Sequence, residues 1–322
     1  MTDTAIEFRS VVKRFGDARP AVDNLDLRIQ HGETVALIGP SGCGKTTTLK
    51  MINRLIDPTS GSILVDGKDI RNVPILELRR SLGYVIQQVG LFPHMTISAN
   101  IAVVPQLLGW DKRRIASRVD ELLTLVHLPP DEFRHRRPME LSGGQQQRVG
   151  VARALAANPP ILLMDEPFGA LDPITRASLQ REVIDIQRKL KKAVVIVTHD
   201  MEEAVRLGDR IVVMEGGHIA QAGAPQELLF RPATPFVASL LGEDRAIKLL
   251  QTMTVGQLAG ACDLATLPAT VPEITDTATL HDALGLFLTS GVKSLAVTDA
   301  AGARTGALDR DRLFALHPAD PR

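Results

Sequence analysis

Apolar positions along the chain fall into short runs of distinct kinds. Leu25, Leu27 and Ile29 alternate with Asp26 and Arg28, the period of a half-buried strand. Thr34–Ile38, Pro160–Met164 and Ala193–Val197 are apolar throughout, as buried strands are. Pro58–Gly61 and Asp66-Gly67 bracket Ser62–Val65 as a hairpin, and Tyr84–Gln87 is a short strand ending on a polar residue. From about Thr96 to Glu140 the pattern turns helical and charged, with Asp111–Leu123 amphipathic, which predicts an inserted helical subdomain with a solvated charged face. Leu141–Gln145 then opens a helix over Gln146–Ala157. Near the other end, Val271–Ile274, Ser294–Thr298 and Arg304–Leu308 read as strands, the last two around a turn at Ala300–Gly302. Thr279–Leu288 has helical spacing with Leu280, Leu284, Phe287 and Leu288 on one side, and Asp309–Leu316 is a final helix. Strands alternating with helices predict an α/β core followed by a small α+β module.

The chemistry gathers where strands end. Thr34–Ile38 runs into Gly39-Pro40-Ser41-Gly42-Cys43-Gly44-Lys45-Thr46-Thr47, the Gly-x4-Gly-Lys-Thr phosphate-loop pattern, and Thr46–Arg54 can continue as a helix. Glycines let successive N–H groups point at a phosphate, and the helix adds its positive dipole end. Lys45 is placed for the β- and γ-phosphates and Thr46 for a Mg²⁺ ion. A glycine turn that binds nothing would match this pattern by chance in about one chain of this length in a hundred. Gln87 sits at a strand's C-terminal end, where α/β sheets bind ligands. Ser142 is a good N-cap, and Gly143 and Gly144 leave backbone N–H groups for a second anion.

Composition narrows the classes. The 322 residues carry 37 basic and 37 acidic side chains, so no electrostatic footprint for nucleic acid is expected. Cys43 and Cys262 lie far apart, which suits a reducing compartment and not a disulfide scaffold. No secretory signal is visible and no apolar run approaches the length needed to span a bilayer, so a soluble protein is expected, with any membrane role exercised through a partner.

Leu141-Ser142-Gly143-Gly144-Gln145, downstream of the phosphate loop, resembles the signature of the ATP-binding cassette (ABC) family. The resemblance implies an ABC-type P-loop NTPase: a RecA-like core, an antiparallel β subdomain and an inserted helical subdomain at about 96–157, together spanning 1–241. It implies that Asp165-Glu166 is the Walker B pair, with Asp165 on Mg²⁺ and Glu166 polarising the attacking water. Gly169-Ala170-Leu171-Asp172 matches the D-loop, with Pro173 at a helix N1 position; His199 falls at the switch histidine and Gln87 at the Q-loop, beside the metal with Thr46. Phe15 falls where the family stacks an aromatic ring on adenine. The family works as a head-to-tail homodimer with ATP between one subunit's phosphate loop and the other's signature, and hydrolysis lets the dimer open.

Several stretches resemble the ATPase subunits of quaternary-amine importers (glycine betaine, carnitine or choline): Met51–Ile56, Leu82–Thr96, Gly144–Arg148 and Met164–Arg176. That implies a membrane permease facing Gly90–Thr96, an extracytoplasmic binding protein acting indirectly, and a place on the cytoplasmic face of the membrane. An aromatic cage for a quaternary ammonium is not expected in a chain that is 3% aromatic with one Trp and one Tyr. Another small solute such as an amino acid is an alternative. A soluble cassette ATPase of DNA repair or translation is disfavoured by the single cassette and the absence of cysteine clusters.

After Leu241 the cassette resemblance fades, leaving 242–268 as linker or remnant. The β-α-β-β-α order of 269–322 resembles one cystathionine-β-synthase (CBS) repeat. In nucleotide-binding repeats a Thr and an Asp follow the last strand's glycine; here Gly306 is followed by Asp309 and Arg312 at those positions. That favours a structural, pairing or ionic-strength role over an adenosine-nucleotide sensor.

Overall fold

The computed structural model describes residues 4–87, 90–169, 171–260 and 270–316, with backbone alone at 174 and 188–190. Ala170 of the D-loop stretch, residues 88 and 89 after Gln87, residues 261–268 of the expected linker, with Cys262 among them, and 269 and 317–322 of the expected final module lie outside the described residues. The contacts divide the chain into two compact units, Met1–Ala222 and Gly223–Arg322. The expected boundary was at 241.

In the first unit, β1 (Thr4–Lys13) and β2 (Val22–Gln30) pair antiparallel, with Phe8 opposite Leu27 and Val11 opposite Leu25. β3 (Thr34–Ile38), although next in the chain, joins a different sheet and leads into α1 (Lys45–Ile52). β4 (Ser60–Val65) and β5 (Lys68–Asp69) form the expected hairpin and extend the antiparallel sheet to the order β2-β1-β4-β5. Residues 5–38, expected as strands of one open sheet, therefore serve two sheets, because β3 pairs with β8 and β9 and not with β1 or β2.

The chain continues through α2 (Ile75–Ser81) into β6 (Leu82–Val85), and then enters the helical stretch: α3 (Ile97–Leu107), α4 (Lys112–Leu125), the single turn α5 (Pro130–Phe133) and α6 (Gly143–Leu155). α6 begins three residues before the expected Gln146, because Ser142 caps it: its hydroxyl accepts from the Gln145 N–H and the Gln145 side chain returns to the Ser142 N–H. β7 (Ile161–Asp165), α7 (Pro173–Leu190), β8 (Ala193–Val197), α8 (Met201–Leu207), β9 (Arg210–Glu215) and β10 (His218–Gly223) complete this unit, with Pro173 at the first position of α7. The second sheet has the order β10-β9-β3-β8-β7-β6, and β9, β3, β8, β7 and β6 run parallel.

That parallel sheet is covered on both faces, which is why β3, β7 and β8 are buried throughout. Ile161 and Leu163 of β7 pack with the antiparallel sheet and α1 in one cluster. Leu162 and Met164, pointing the other way, pack with helical residues such as Ile101, Leu122, Val149 and Leu179.

In the second unit, α9 (Pro225–Phe230) packs with α11 (Arg245–Thr252), and α10 (Pro235–Leu241) lies between them in the chain. This packing groups 223–241 with the second unit by contacts. α12 (Val255–Leu258) is followed by β11 (Glu273–Thr275), α13 (Leu280–Ser290), β12 (Ser294–Thr298), β13 (Arg304–Asp309) and α14 (Arg310–Phe314). The sheet order is β11-β12-β13, parallel then antiparallel. Thr254 bridges Thr279 and Gly260 bridges Ala307, so 254–260 is built into this module where a linker was expected. Leu280, Ala283 and Phe287 face its core, but Leu288, expected on the same side, is 75% exposed. Spacing of three, four and seven residues was satisfied without it.

Candidate functional site

Four neighbouring parallel strands end at one edge of the sheet, each followed by one of the expected motifs. β3 leads to the phosphate loop, β8 to His199, β7 to Asp165 and Glu166, and β6 to Gln87. The register aligns those ends: Asp165 lies opposite Val197, the Glu166 N–H donates to the Val197 carbonyl at 2.9 Å, and the Thr198 N–H to the Leu37 carbonyl at 3.2 Å. Residues distant in sequence thus meet at the carboxyl edge of an open α/β sheet.

Gly44 precedes α1 at φ 109°, and a Cβ there would lie 2.4 Å from the Ala21 carbonyl oxygen, so both conformation and space require glycine. Lys45 is buried, its ammonium donating to the carbonyls of Gly39 at 2.7 Å and Pro40 at 3.0 Å. The cation is therefore held inside the loop where the N–H groups of Gly42–Thr46 can receive an anion. Ser41 and Gly42 are exposed, Cys43 is buried against Lys45, and Thr47 is half-buried.

Thr46 Oγ1 donates to Asp165 Oδ1 at 3.1 Å, joining the loop to the end of β7. Burial pushes the Asp165 carboxyl above the usual range; the Thr46 hydrogen bond, the Lys50 ammonium 4.0 Å away and the Tyr84 hydroxyl oppose that rise. Burial, and then the Asp165 charge, push Tyr84 upward in turn, so its proton stays on the oxygen. Lys50 and Tyr84 escaped the sequence reading. Lys50 stands one helical turn beyond Thr46 and so was visible in principle; Tyr84 needed the β6–β7 pairing that sets it opposite Leu163, two residues before Asp165.

Glu166 follows directly, at φ 45°, a left-handed conformation that costs a non-glycine residue about 1–2 kcal/mol. Its Oε2 accepts from the Gln87 amide at 2.8 Å and lies 3.5 Å from His199 Nδ1. Gln87 and His199 thus converge on one carboxylate oxygen, although 79 residues separate Gln87 from Glu166. This arrangement can hold Glu166 with its other oxygen toward a water molecule.

The remaining expected residues stand elsewhere. Phe15 lies in the β1–β2 connection, 50% exposed, with the Lys13 ammonium 4.9 Å from its ring centre. Ser142 and Gly143 are exposed at the start of α6, while Leu141 and Gly144 are buried and Gln145 closes the capping box. Asp172 accepts from the Thr175 N–H at 3.1 Å at the start of α7. Among the described residues no hydrogen bond joins Leu141–Gln145 to the phosphate loop of the same chain.

Two charged or polar groups hold the segment after Gln87. Arg153 donates to the Gly90 carbonyl at 2.7 Å, and burial lowers its pKa. Fully buried Asn100 accepts from the Phe92 N–H at 2.8 Å and donates to the carbonyls of Phe92 and Thr96.

A phosphate loop, an acidic strand end and a serine-capped helix opening on two glycines on this fold define a nucleotide-binding cassette, and residues 22–169 match the ABC transporter family model. The chain belongs to the family of ATP-binding subunits of ABC transporters. It is 49% identical over 302 residues to the osmoprotectant import ATP-binding protein OsmV of Salmonella typhimurium, covering 94% of this chain and 77% of that one. It is 56% identical over 243 residues to the Bacillus subtilis glycine betaine/carnitine/choline transport ATP-binding protein OpuCA, covering 76% of this chain and 64% of that one. Among solved structures, the dimeric bacterial ABC transporter cassette MJ0796 matches with a TM-score of 0.61 at 35% identity, covering 68% of this chain and 98% of the other. A second MJ0796 structure, bound to ADP and phosphate after hydrolysis, matches at the same TM-score with 34% identity. Among the described residues no helix is long and apolar enough to cross a membrane.

Proposed function

We propose that this chain is the ATP-hydrolysing subunit of an importer for quaternary-amine osmoprotectants of the glycine betaine, carnitine or choline type. The observation that carries the enzymatic part is the convergence of Gln87 and His199 on Glu166, beside the Thr46–Asp165 pair. The solute class rests on the relatives, whose names specify osmoprotectant, glycine betaine, carnitine and choline transport.

In this reading the loop Gly39–Thr47 binds the phosphates and Lys45 exchanges its carbonyl partners for phosphate oxygens, while Phe15 supplies an exposed ring for adenine. Thr46 and Asp165, 3.1 Å apart, offer hard oxygen donors suited to Mg²⁺, with Gln87 able to contribute its amide oxygen. Mg²⁺ bound there would neutralise charge developing on the phosphates. Glu166 accepts a proton from the attacking water, and Gln87 and His199 hold it in place.

The signature at Leu141–Gln145 serves the ATP of a second copy, in a head-to-tail homodimer. Its exposed Ser142 and Gly143 support this, as does the dimeric MJ0796 cassette. Gly90–Thr96, with exposed Phe92 braced by Asn100, meets a membrane-embedded permease from the cytoplasmic side. Solute selection falls to that permease and a binding protein. Residues 1–241 form the catalytic domain, with helices at 96–157 as its helical subdomain. The second unit's β-α-β-β-α segment is a single CBS-like module, in which Asp309 accepts from the Ser294 hydroxyl at 2.5 Å. That pairing supports a structural or ionic-strength role over nucleotide sensing.

The test is Glu166→Gln in the host strain. Uptake of labelled glycine betaine, carnitine or choline should vanish, and the purified variant should bind ATP and accumulate as a dimer on a sizing column. Undiminished hydrolysis would refute the role of Glu166; intact uptake of all three solutes in a strain lacking the chain would refute the substrate class.

A further inference from the structure

The first turns of α7 connect three motifs that lie far apart in the chain. Arg176 donates through Nη2 to the carbonyl of Leu171, in the D-loop, at 3.3 Å. Through Nη1 it pairs with Asp200 Oδ2, also at 3.3 Å. Asp200 directly follows His199 and caps α8, its other oxygen accepting from the N–H groups of Glu202 and Glu203. On the adjoining side, Thr175 packs so tightly on the signature helix that a Cβ at Gly144 would lie 2.3 Å from its methyl group.

A second strut lies one turn further along the same helix. Gln180 donates to Glu203 Oε1 at 3.2 Å, and Glu203 Oε2 accepts from the Thr198 hydroxyl at 2.6 Å. Thr198 in turn accepts from the Asp200 N–H at 3.0 Å, and Thr198, Gln180 and Glu203 are all buried. Arg206 donates to Gln180 Oε1 at 3.2 Å and fixes the amide's orientation. His199 itself is 65% exposed, so this brace behind its backbone, more than packing around its ring, sets where the imidazole stands.

We propose that Arg176 is a positioning residue that couples the two ATP sites of the dimer. It ties His199, which acts on the nucleotide of its own chain, to the D-loop and, through Thr175, to the signature that serves the partner's nucleotide. A rigid α7 end would carry closure at one site to the switch at the other, since the guanidinium fork holds both partners in a fixed geometry. The inference rests on the dimeric reading above.

The test uses the full-length chain and the ATP dependence of its hydrolysis. In the parent, two coupled sites give a Hill coefficient above 1. Arg176→Ala should lower kcat about tenfold and bring the Hill coefficient to about 1, a loss within the range of site-to-site coupling. Nucleotide affinity, read by a fluorescent-nucleotide titration, and Tm should stay near parental values. Arg176→Lys keeps the charge opposite Asp200 but has one nitrogen for two partners, so it should recover part of kcat and not the cooperativity. Asp200→Asn retains the helix cap while weakening the ion pair, and the double variant Arg176→Ala/Asp200→Asn should be no worse than Arg176→Ala. Parental cooperativity in both Arg176→Ala and Asp200→Asn, or a kcat loss matched by lost nucleotide binding or Tm, overturns the proposal. If the parent hydrolyses ATP without cooperativity, the coupled-dimer reading falls, and this inference with it.

Discussion

Asn100 offers the sharpest test of how the segment after Gln87 is held. Its side chain is fully buried, and its carboxamide oxygen accepts the Phe92 N–H at 2.8 Å. Its amide nitrogen donates to Phe92 O at 3.1 Å, Thr96 O at 3.0 Å and, more distantly, Met95 O at 3.4 Å. Phe92 O and Thr96 O each have a second donor, from the N–H groups of Met95 and Asn100. The Phe92 N–H depends on the carboxamide. Asn100→Ala therefore strands one donor and removes a charge-free bridge, a cost of about 1–3 kcal/mol. Asn100→Asp separates the two functions of the amide. The aspartate can accept from Phe92, but its other oxygen then faces carbonyls. It must either ionise against them or stay protonated, and holding an ordinary aspartate neutral at pH 7 costs about 4 kcal/mol, against about 1.5 kcal/mol at pH 5. The lesser of ionisation and protonation bounds the penalty. Urea denaturation of parent and variant at both pH values should show the deficit shrinking by up to about 2.5 kcal/mol on acidification. Hydrogen exchange should place the loosening at Gly90–Thr96. A deficit that grows on acidification, or unchanged exchange there, would refute the account of Asn100 as the brace of this segment.

Two further outcomes follow from the site. Lys45→Ala should abolish nucleotide binding in a fluorescence titration, and Gly44→Ala should weaken it too, because the added methyl meets the Ala21 carbonyl and the backbone sits at φ 109°. Glu203 gives a pH dependence: burial raises its pKa, with the Thr198 and Gln180 hydrogen bonds and Arg176 opposing and Asp200 adding to the rise. A carboxyl raised on folding favours the folded state at low pH, and that contribution is lost as pH climbs from the ordinary glutamate value of 4.5 through the folded pKa. The stability of Glu203→Gln relative to the parent should therefore improve from pH 4.5 toward neutrality in urea titrations; a flat difference would refute the burial argument.

Much of this was readable from residues alone where the physics is local. The phosphate loop needs its glycines and Lys45 within nine positions, so strand, loop and helix could be placed from sequence. Ser142 and Gln145 specify their own cap, and Thr279 with Asp282 does the same for α13. Continuous apolar runs marked β3, β7 and β8 as buried on both faces. Such local patterns carry no information about neighbours. That β1 and β2 leave β3 for another sheet, that Tyr84 and Lys50 reach Asp165, and that Gln87 and His199 share one oxygen of Glu166 follow from strand order and register. The same holds for Asn100, Arg176 and Glu203: an ordinary polar residue in a helical run becomes a brace only when packing removes water from it and leaves it a single set of partners. Sequence by itself determined which groups the chain has for binding and cleaving a nucleotide. Tertiary structure decided which of them meet, because hydrogen bonds act over a few ångströms and only folding brings residues scores of positions apart within that reach.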